Sequence, residues 1–343
     1  MTKVLLTGAS GFVAIHTLEA LLTRGFVVKA TVRSQEKGHY LLNKFPGKPL
    51  EIAIVEDIQA PNAFENALKD SAITAVIHTA SPFFAAKNDP LKELLDPAVK
   101  GTKNVLQAIK TFAPQVSTVV VTSSYAAISN VTKRTDHSFV HTEATWSEIT
   151  WEQAISDLNL SYRASKKFAE RALWDFVAEE KPNFTATTVN PPLVYGPVIQ
   201  DVTSPEKLNT SNAILWKNVI ESTPGDTSDS YANDAALWVD VRDVALAHVL
   251  PLEKPELAGK RLFVTPGFCS TQSILDVLNE KFPALKGKIA VGRPGTGDKQ
   301  LPELYQYDNH VTNDLLGIKY HTLEESMIDT FKSLVNLRPK SFL

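Results

Sequence analysis

The sequence predicts an α/β protein whose core is a doubly wound parallel sheet. Two observations lead to this fold class. Short β-branched runs alternate with longer helical patterns through the first half of the chain, and a glycine turn follows the first run. Strands that alternate with helices form βαβ units, which give a parallel sheet with helices on both faces. Beyond Pro192 the alternation gives way to a segment rich in Gly, Pro, Asn, Ser and Asp, so a smaller second lobe is expected.

The individual elements are placed by hydrophobic periodicity and by the turn residues between them. Strands are expected at 3–7, 26–32, 50–55, 75–78, 118–122 and 184–189, with short strands at 237–239 and 261–265 that return to the same sheet. Helices are expected at 11–24, 91–112, from Tyr162 to about 179, and at 241–249, 272–282, 311–316 and 323–337. Residues 1–190 and 235–266 then form the sheet domain, and 191–234 and 267–343 form the smaller C-terminal lobe.

Length, charge and cysteine content exclude several classes of protein. The chain has 343 residues, a net charge of −3 and 43% hydrophobic residues, which is ordinary for a globular protein that buries its own core. No basic patch would attract nucleic acid or a membrane surface. Cys269 is the only cysteine, so an intrachain disulfide is excluded. Neither a signal peptide nor a membrane span is expected, and the expected location is the cytosol.

The turn after the first strand has the pattern of a dinucleotide-binding motif. Gly8 lets the chain reverse tightly, and Gly11 removes a side chain where a pyrophosphate must approach the backbone N–H groups at a helix start. Ala14 is small enough for that helix to pack against the sheet. The position of the turn directly after an apolar strand predicts a Rossmann-type domain. The cofactor contacts expected here come from Gly8, Ala9, Ser10, Gly11, Phe12 and Val13.

The end of the second strand favours NADPH over NADH. An NAD enzyme usually has an acidic residue about 20 positions after the glycine motif, where it binds the ribose 2′-hydroxyl. Here the strand ends at Arg33, with Lys37 four residues further on. A guanidinium can bind a 2′-phosphate with two hydrogen bonds and can stack on the adenine. Glu36 is a mild counter-signal, because its charge would repel the phosphate.

Ser124, Tyr162 and Lys166 predict the site of a proton transfer. Ser124 follows the strand 118–122, and ligands of doubly wound sheets bind at the carboxyl ends of strands. Tyr162 and Lys166 lie four residues apart on one expected helix, so the ammonium is expected near the phenol, where it lowers the tyrosine pKa. Tyr162 would then protonate the alkoxide formed when hydride reaches a carbonyl carbon. Ser124 would hold the carbonyl oxygen, and Lys166 would also bind the nicotinamide ribose.

A second Tyr-x-x-x-Lys pair, Tyr40 and Lys44, has the same spacing. It lies between the second and third expected strands, and no serine at a strand end precedes it at a comparable interval. Tyr40 is therefore expected on an exposed helix or loop, away from the active site.

Together these residues resemble the extended short-chain dehydrogenase/reductase family over nearly the whole chain. The segments that carry the resemblance are Thr7-Gly-Ala-Ser-Gly-Phe-Val-Ala14, His78-Thr-Ala-Ser-Pro82, Val121-Thr-Ser-Ser-Tyr125, Tyr162-Arg-Ala-Ser-Lys166, Asn190-Pro191 and Trp238-Val-Asp-Val-Arg-Asp-Val244. Within the family, Arg33-Ser-Gln-Glu-Lys37 and Leu208-Asn-Thr-Ser211 are similar to yeast NADPH-dependent reductases of methylglyoxal and 3-methylbutanal, relatives of plant dihydroflavonol reductases. The resemblance implies NADPH-dependent reduction of aldehydes and ketones by a monomer or a homodimer.

The resemblance also implies roles for further residues. It selects Ser124 rather than Ser123 as the catalytic serine, and it places Ala98 where many members have a catalytic asparagine, so a triad is expected. The remaining cofactor contacts that it implies are Asp57 and Ile58 at the adenine, Thr79, Ala80 and Ser81 along the cofactor, and Pro191, Val194 and Ser211 near the nicotinamide. The pocket walls that it implies are Phe83, Tyr125, Leu193 and Trp216.

Two other functions and a metal site are the alternatives to this interpretation. A nucleotide-sugar epimerase or dehydratase shares this fold and triad, but Arg33 and the apolar pocket residues argue against it. A non-catalytic NADPH-sensing regulator would not need Ser124, Tyr162 and Lys166 together. His137 and His141 have a spacing found in metal sites, yet no cysteine cluster accompanies them, so no metal is expected.

Overall fold

The structure is a computed structural model that describes residues 2–81, 89–299, 301 and 304–337. The strands are β1 (Lys3–Thr7), β2 (Val27–Val32), β3 (Leu50–Ile54), β4 (Ile73–His78), β5 (Thr118–Thr122), β6 (Val140–His141), β7 (Thr185–Val189), β8 (Leu193–Tyr195), β9 (Ala235–Asp240), β10 (Arg261–Leu262), β11 (Gly267–Ser270) and β12 (Gln306–Tyr307). The α-helices are α1 (Phe12–Thr23), α2 (Gln35–Lys44), α3 (Glu65–Leu68), α4 (Asp96–Phe112), α5 (Trp151–Ser156), α6 (Leu158–Glu180), α7 (Thr210–Leu215), α8 (Val241–Val249), α9 (Thr271–Lys281), α10 (His310–Leu316) and α11 (Leu323–Leu334).

Seven strands form the main sheet, in the order β10-β7-β5-β4-β1-β2-β3. Every pair in this sheet is parallel, which confirms the expected fold class. The central strand shows why: Val4, Leu5 and Leu6 are all fully buried, as is required of a strand with helices on both faces. The order reverses at β1 and β4, and such a switch point opens a crevice at the carboxyl ends of the strands.

Helices cover the two faces of this sheet and enclose two apolar layers. On one face α1 packs against α8, and on the other α4 packs against α6. Leu18 and Val244 belong to the first layer, and Leu106 and Leu173 belong to the second. The segments that follow the strands therefore start from a sheet that is buried on both faces.

The smaller lobe is built around a second sheet of three strands, in the order β11-β9-β8. β9 is antiparallel to β11 and parallel to β8. The helices α7, α9 and α11 contribute Leu215, Leu275 and Phe331 to its apolar core. The expectation that 237–239 returns to the main sheet is therefore wrong, whereas Arg261 and Leu262 do join it beside β7. Local periodicity shows that a short strand is buried but not which sheet it joins.

The helix that carries Tyr162 begins four residues earlier than expected, at Leu158. Its start is set by Asp157, whose side chain accepts a hydrogen bond from the Asn159 N–H at 2.8 Å, a usual N-terminal cap. Tyr162 consequently lies in the second turn, where the helix is fully formed. No helix in the described part of the chain is both long and apolar enough to cross a bilayer.

Candidate active site

Two adjoining cavities lie at the carboxyl ends of the central strands. The outer one has a volume of about 710 Å³ and the inner one about 280 Å³. Gly8, Gly11, Thr79 and Ser81 line both cavities, so the two form one continuous cleft. This is the crevice that the reversal of strand order predicts.

The glycine turn forms the floor where the two cavities meet. Gly8 has a φ of 67°, and a Cβ there would lie only 3.0 Å from the Ala80 Cα, so this position requires glycine. The Gly11 N–H donates to the Gly8 carbonyl at 2.9 Å. Ala9 differs from the expectation: it is fully buried, and its N–H donates to the Thr31 carbonyl at 2.9 Å. Ala9 therefore ties the turn to β2 and does not line the cleft.

The outer cavity brings together the residues expected at the adenosine end. Arg33 is exposed there, and no carboxylate in the described ranges pairs with it. Lys37 also lines the cavity, but its ammonium lies 2.7 Å from an Asp201 carboxylate oxygen. The predicted cofactor residues in this wall are Gly8, Ser10, Gly11, Arg33, Lys37, Asp57, Ile58, Thr79, Ala80 and Ser81.

The inner cavity brings together the expected triad. Ser124 caps a short turn after β5, and its hydroxyl accepts a hydrogen bond from the Ala126 N–H at 3.1 Å. The Lys166 ammonium donates to the Ser81 hydroxyl at 3.1 Å and lies 6.0 Å from the centre of the Tyr162 ring. The predicted residues in this wall are Gly8, Gly11, Phe12, Val13, Thr79, Ser81, Ser124, Tyr162, Lys166, Pro191, Val194 and Ser211.

The protonation states in this cavity differ from one expectation. Burial raises the pKa of Tyr162 above its usual value, although a hydrogen bond with Ser124 acts in the opposite direction. Burial also lowers the pKa of Lys166 to about 8. The expected lowering of the tyrosine pKa by Lys166 is therefore not found, because burial is the largest influence on the Tyr162 phenol. At pH 7 the phenol is neutral, and the ammonium is the predominant form of Lys166.

A buried carboxylate, Glu170, holds the elements behind Ser124 together. Glu170 lies two helical turns after Tyr162 on α6 and is 1% exposed. It accepts hydrogen bonds from Arg261 at 2.5 Å and Asn190 at 2.7 Å, and also from the Ser123 hydroxyl. Asn190 in turn donates to the Ser124 carbonyl at 3.2 Å. We name Glu170, Arg261, Asn190 and Ser123 the buried clamp.

The expected pocket walls are distributed differently. Tyr125 is 5% exposed, and its ring stacks on Phe263 with the ring centres 4.9 Å apart. Trp216 is buried in the core of the smaller lobe, and its indole N–H donates to Glu221. Leu193 lines a separate small cavity beside Cys269. None of these three residues lines the inner cavity.

Phe83, the fourth expected wall, lies outside the described residues.

Sequence reasoning missed several residues of the cleft. Asn209 lines the inner cavity beside Ser211, and Thr122 and Pro192 complete the wall around Ser124. Lys92, in the helical turn Leu91–Leu95 that precedes α4, and Pro97, in the first turn of α4, line the outer cavity. Asn209 belongs to the segment 208–211 that carries the family resemblance, which is the signal that could have identified it. Thr122 likewise lies in the segment 121–125 that carries the resemblance, whereas Pro192, Lys92 and Pro97 carry no local signal, because only tertiary packing brings them to the cleft.

Two segments that the sequence singled out lie elsewhere. Tyr40, on α2, donates a hydrogen bond to the Ile199 carbonyl at 2.8 Å. It is half-buried rather than exposed, but it is not part of the inner cavity. Both ring nitrogens of His141 have backbone partners, the Asn130 N–H and the Gln306 carbonyl. His141 therefore supports a loop.

This fold and site define the class of the protein. Residues 4–264 match the model of the NAD dependent epimerase/dehydratase family. The chain belongs to this family, whose members are the extended short-chain dehydrogenases/reductases.

Two relatives and one solved structure of similar length show which members of the family this chain is similar to. The chain is 38% identical to the NADPH-dependent methylglyoxal reductase GRE2 of Saccharomyces cerevisiae, over 97% of this chain and 98% of the relative. It is 40% identical to the ketoreductase azaE of Aspergillus niger, with 97% of each chain covered. A crystal structure of Gre2 from Candida albicans in complex with NADPH has a TM-score of 0.92 and 40% identity, and it covers 99% of this chain and 100% of that one.

Proposed function

We propose that the protein is an NADPH-dependent carbonyl reductase that converts aldehydes and ketones to alcohols. The observation that carries the proposal is the continuous cleft, which has Arg33 at one end and Ser124, Tyr162 and Lys166 at the other. The names of the Saccharomyces and Aspergillus relatives support it, since one is an NADPH-dependent reductase and the other a ketoreductase.

The residues of the cleft fit NADPH. The glycine turn leaves a cradle at Gly8 that a Cβ would fill, and Gly11 is the N-cap of α1, so backbone N–H groups at the start of this helix are available to a pyrophosphate. The Arg33 guanidinium matches the charge and geometry of a 2′-phosphate. NADPH in this cleft would supply the hydride.

The triad supplies the proton and holds the substrate. The Ser124 hydroxyl donates a hydrogen bond to the carbonyl oxygen, where negative charge develops. Tyr162 gives its phenolic proton to that oxygen, and its raised pKa keeps it in the protonated form that a general acid requires. The positive charge of Lys166 stabilises the phenolate that remains. The roles of the three residues are part of the proposal.

The apolar wall of the inner cavity supports an uncharged substrate. Its wall is apolar at Phe12, Val13, Pro192 and Val194, and apolar walls supply most of the burial of a small ligand. A location in the cytosol is supported by the cysteine content: the single cysteine, Cys269, is buried and free, which suits a reducing compartment.

A nucleotide-sugar epimerase or dehydratase of the same family is the alternative. Such an enzyme retains NAD, for which an acidic residue at the end of β2 would bind the 2′-hydroxyl. Arg33 occupies that place. A nicotinamide cofactor that stays bound through purification, together with no turnover of free NADPH, would favour the alternative.

Arg33→Ala tests the cofactor assignment. We expect NADPH to bind about 10- to 150-fold more weakly, the range for loss of a charged hydrogen bond. NADH should be little affected, because it lacks the 2′-phosphate. Fluorescence titration with each cofactor measures both affinities. Equal losses for the two cofactors would mean that Arg33 supports the adenine or the fold instead.

A further inference from the structure

Lys37 has a carboxylate partner that comes from a distant part of the chain. Its ammonium forms an ion pair with Asp201 at 2.7 Å, and both side chains are about one-third exposed, at 36% and 32%. Asp201 lies in the connection between β8 and α7, which leads to Asn209 and Ser211 in the wall of the inner cavity. The positive charge that Lys37 offers to the outer cavity is therefore already compensated.

The backbone holds this partner in place. Tyr40 follows Lys37 by three residues and shares its face of α2, and its hydroxyl donates to the Ile199 carbonyl at 2.8 Å. The Pro197 carbonyl forms a hydrogen bond with His16 of α1 at 2.8 Å. Two further contacts thus anchor the segment that carries Asp201. The ion pair follows from how this segment packs, and not from a chance approach of two long side chains.

A 2′-phosphate that reaches Lys37 meets this carboxylate. The ammonium has three donors and can touch two anions, but a phosphate and a carboxylate on one cation repel each other. Either the ion pair opens or the phosphate gains less from Lys37. Resting on the proposed NADPH dependence, we propose that Asp201 is a specificity-determining residue that competes with the 2′-phosphate for Lys37.

This competition has a use in the catalytic cycle. NADP⁺ carries the same 2′-phosphate as NADPH, so every contact that holds the phosphate also slows the release of the product. Product release is the slow step in many enzymes. Asp201 limits how tightly the 2′-phosphate is held, and so lowers the preference for NADPH that Arg33 and Lys37 create.

Asp201→Asn tests the proposal, because it removes the charge with little change in shape. We expect NADPH and NADP⁺ to bind about two- to fivefold more tightly, the range that corresponds to a partly exposed ion pair. NADH affinity should not change. Equilibrium titration followed by cofactor fluorescence or calorimetry measures binding without turnover.

Two matched controls separate charge from anchoring. Glu253→Gln breaks the Arg24–Glu253 ion pair, which has a similar exposure of 38% and 34% and lies outside both cavities, so cofactor affinity should stay unchanged. Tyr40→Phe removes one of the two neutral anchors of the same segment and leaves both charges of the ion pair in place, so its effect on cofactor affinity should be smaller than that of Asp201→Asn. In a Lys37→Gln background, Asp201→Asn should give no further gain.

Four results would overturn the proposal. NADPH binding that weakens in Asp201→Asn would mean that Asp201 presents Lys37 to the phosphate. An equal change for NADH would remove the link to the phosphate. An equal effect of Tyr40→Phe would assign the change to the packing of the segment that carries Asp201. A gain that persists in the Lys37→Gln background would assign it to the long-range electrostatic effect of the Asp201 charge and not to Lys37. Failure of the unmodified protein to bind NADPH would contradict the proposed function instead.

Discussion

Replacement of Tyr162 by phenylalanine is expected to lower turnover by about 10²- to 10⁴-fold, the range for loss of a positioned general acid. The change removes the phenolic hydroxyl and keeps the ring. Tyr162 is on the second turn of α6, with its ring facing the inner cavity beside Ser124. Folding and NADPH binding should survive, because the glycine turn and Arg33 are not affected. Steady-state NADPH oxidation with a small aldehyde, together with NADPH titration, measures both.

Tyr40→Phe is the control for this experiment, because Tyr40 has the same spacing to a lysine. Its hydroxyl is bound to the Ile199 carbonyl and not to the inner cavity, so turnover should remain near that of the unmodified protein. If Tyr40→Phe abolished turnover and Tyr162→Phe did not, the site would be assigned to the wrong tyrosine.

Glu170→Ala is expected to reduce the free energy of unfolding by about 3–5 kcal/mol, the range for a buried ion pair that loses one partner. Arg261 would keep its charge with only 10% of its side chain exposed. The amide of Asn190 and the hydroxyl of Ser123 would also lose an acceptor. Equilibrium unfolding in urea, monitored by circular dichroism, gives the difference in stability.

Glu180→Ala is the matched control on the same helix. Glu180 pairs with Lys110, and the two side chains are 43% and 39% exposed, so its loss should reduce stability by at most about 1 kcal/mol. Comparable losses in the two variants would show that the buried clamp stabilises the protein no more than a surface contact does.

The sequence predicts the parts of the site that local geometry determines. Gly8 is required by a positive φ within its own turn, and Tyr162 and Lys166 share a face through helix periodicity alone. The pair Ser123-Ser124 is placed at the site because it directly follows a buried strand, and the family resemblance selects Ser124. Each of these conclusions needs only a few neighbouring residues and the general architecture of a doubly wound sheet.

The parts that could not be predicted depend on residues far apart in the chain. The ring of Tyr125 does not line the inner cavity, because it stacks on Phe263, which comes 138 positions later in the sequence. Lys37 is compensated by Asp201, which is 164 residues away. The Lys166 ammonium donates to the hydroxyl of Ser81, which follows β4 and is 85 residues away. A sequence motif identifies residues of a site, but their hydrogen-bond, ion-pair and stacking partners depend on tertiary packing.

The short edge strand has a consequence for the local opening of the protein. Only Arg261 and Leu262 of β10 pair with β7, and a ladder so short contributes little by itself. The buried clamp joins this edge to the segment that carries Ser124, so the two are expected to open as one cooperative unit. The Asn190 N–H donates to the Leu262 carbonyl at 2.8 Å. The rate at which this amide exchanges its hydrogen with solvent would then report, in the intact protein, how often the catalytic serine loses its support.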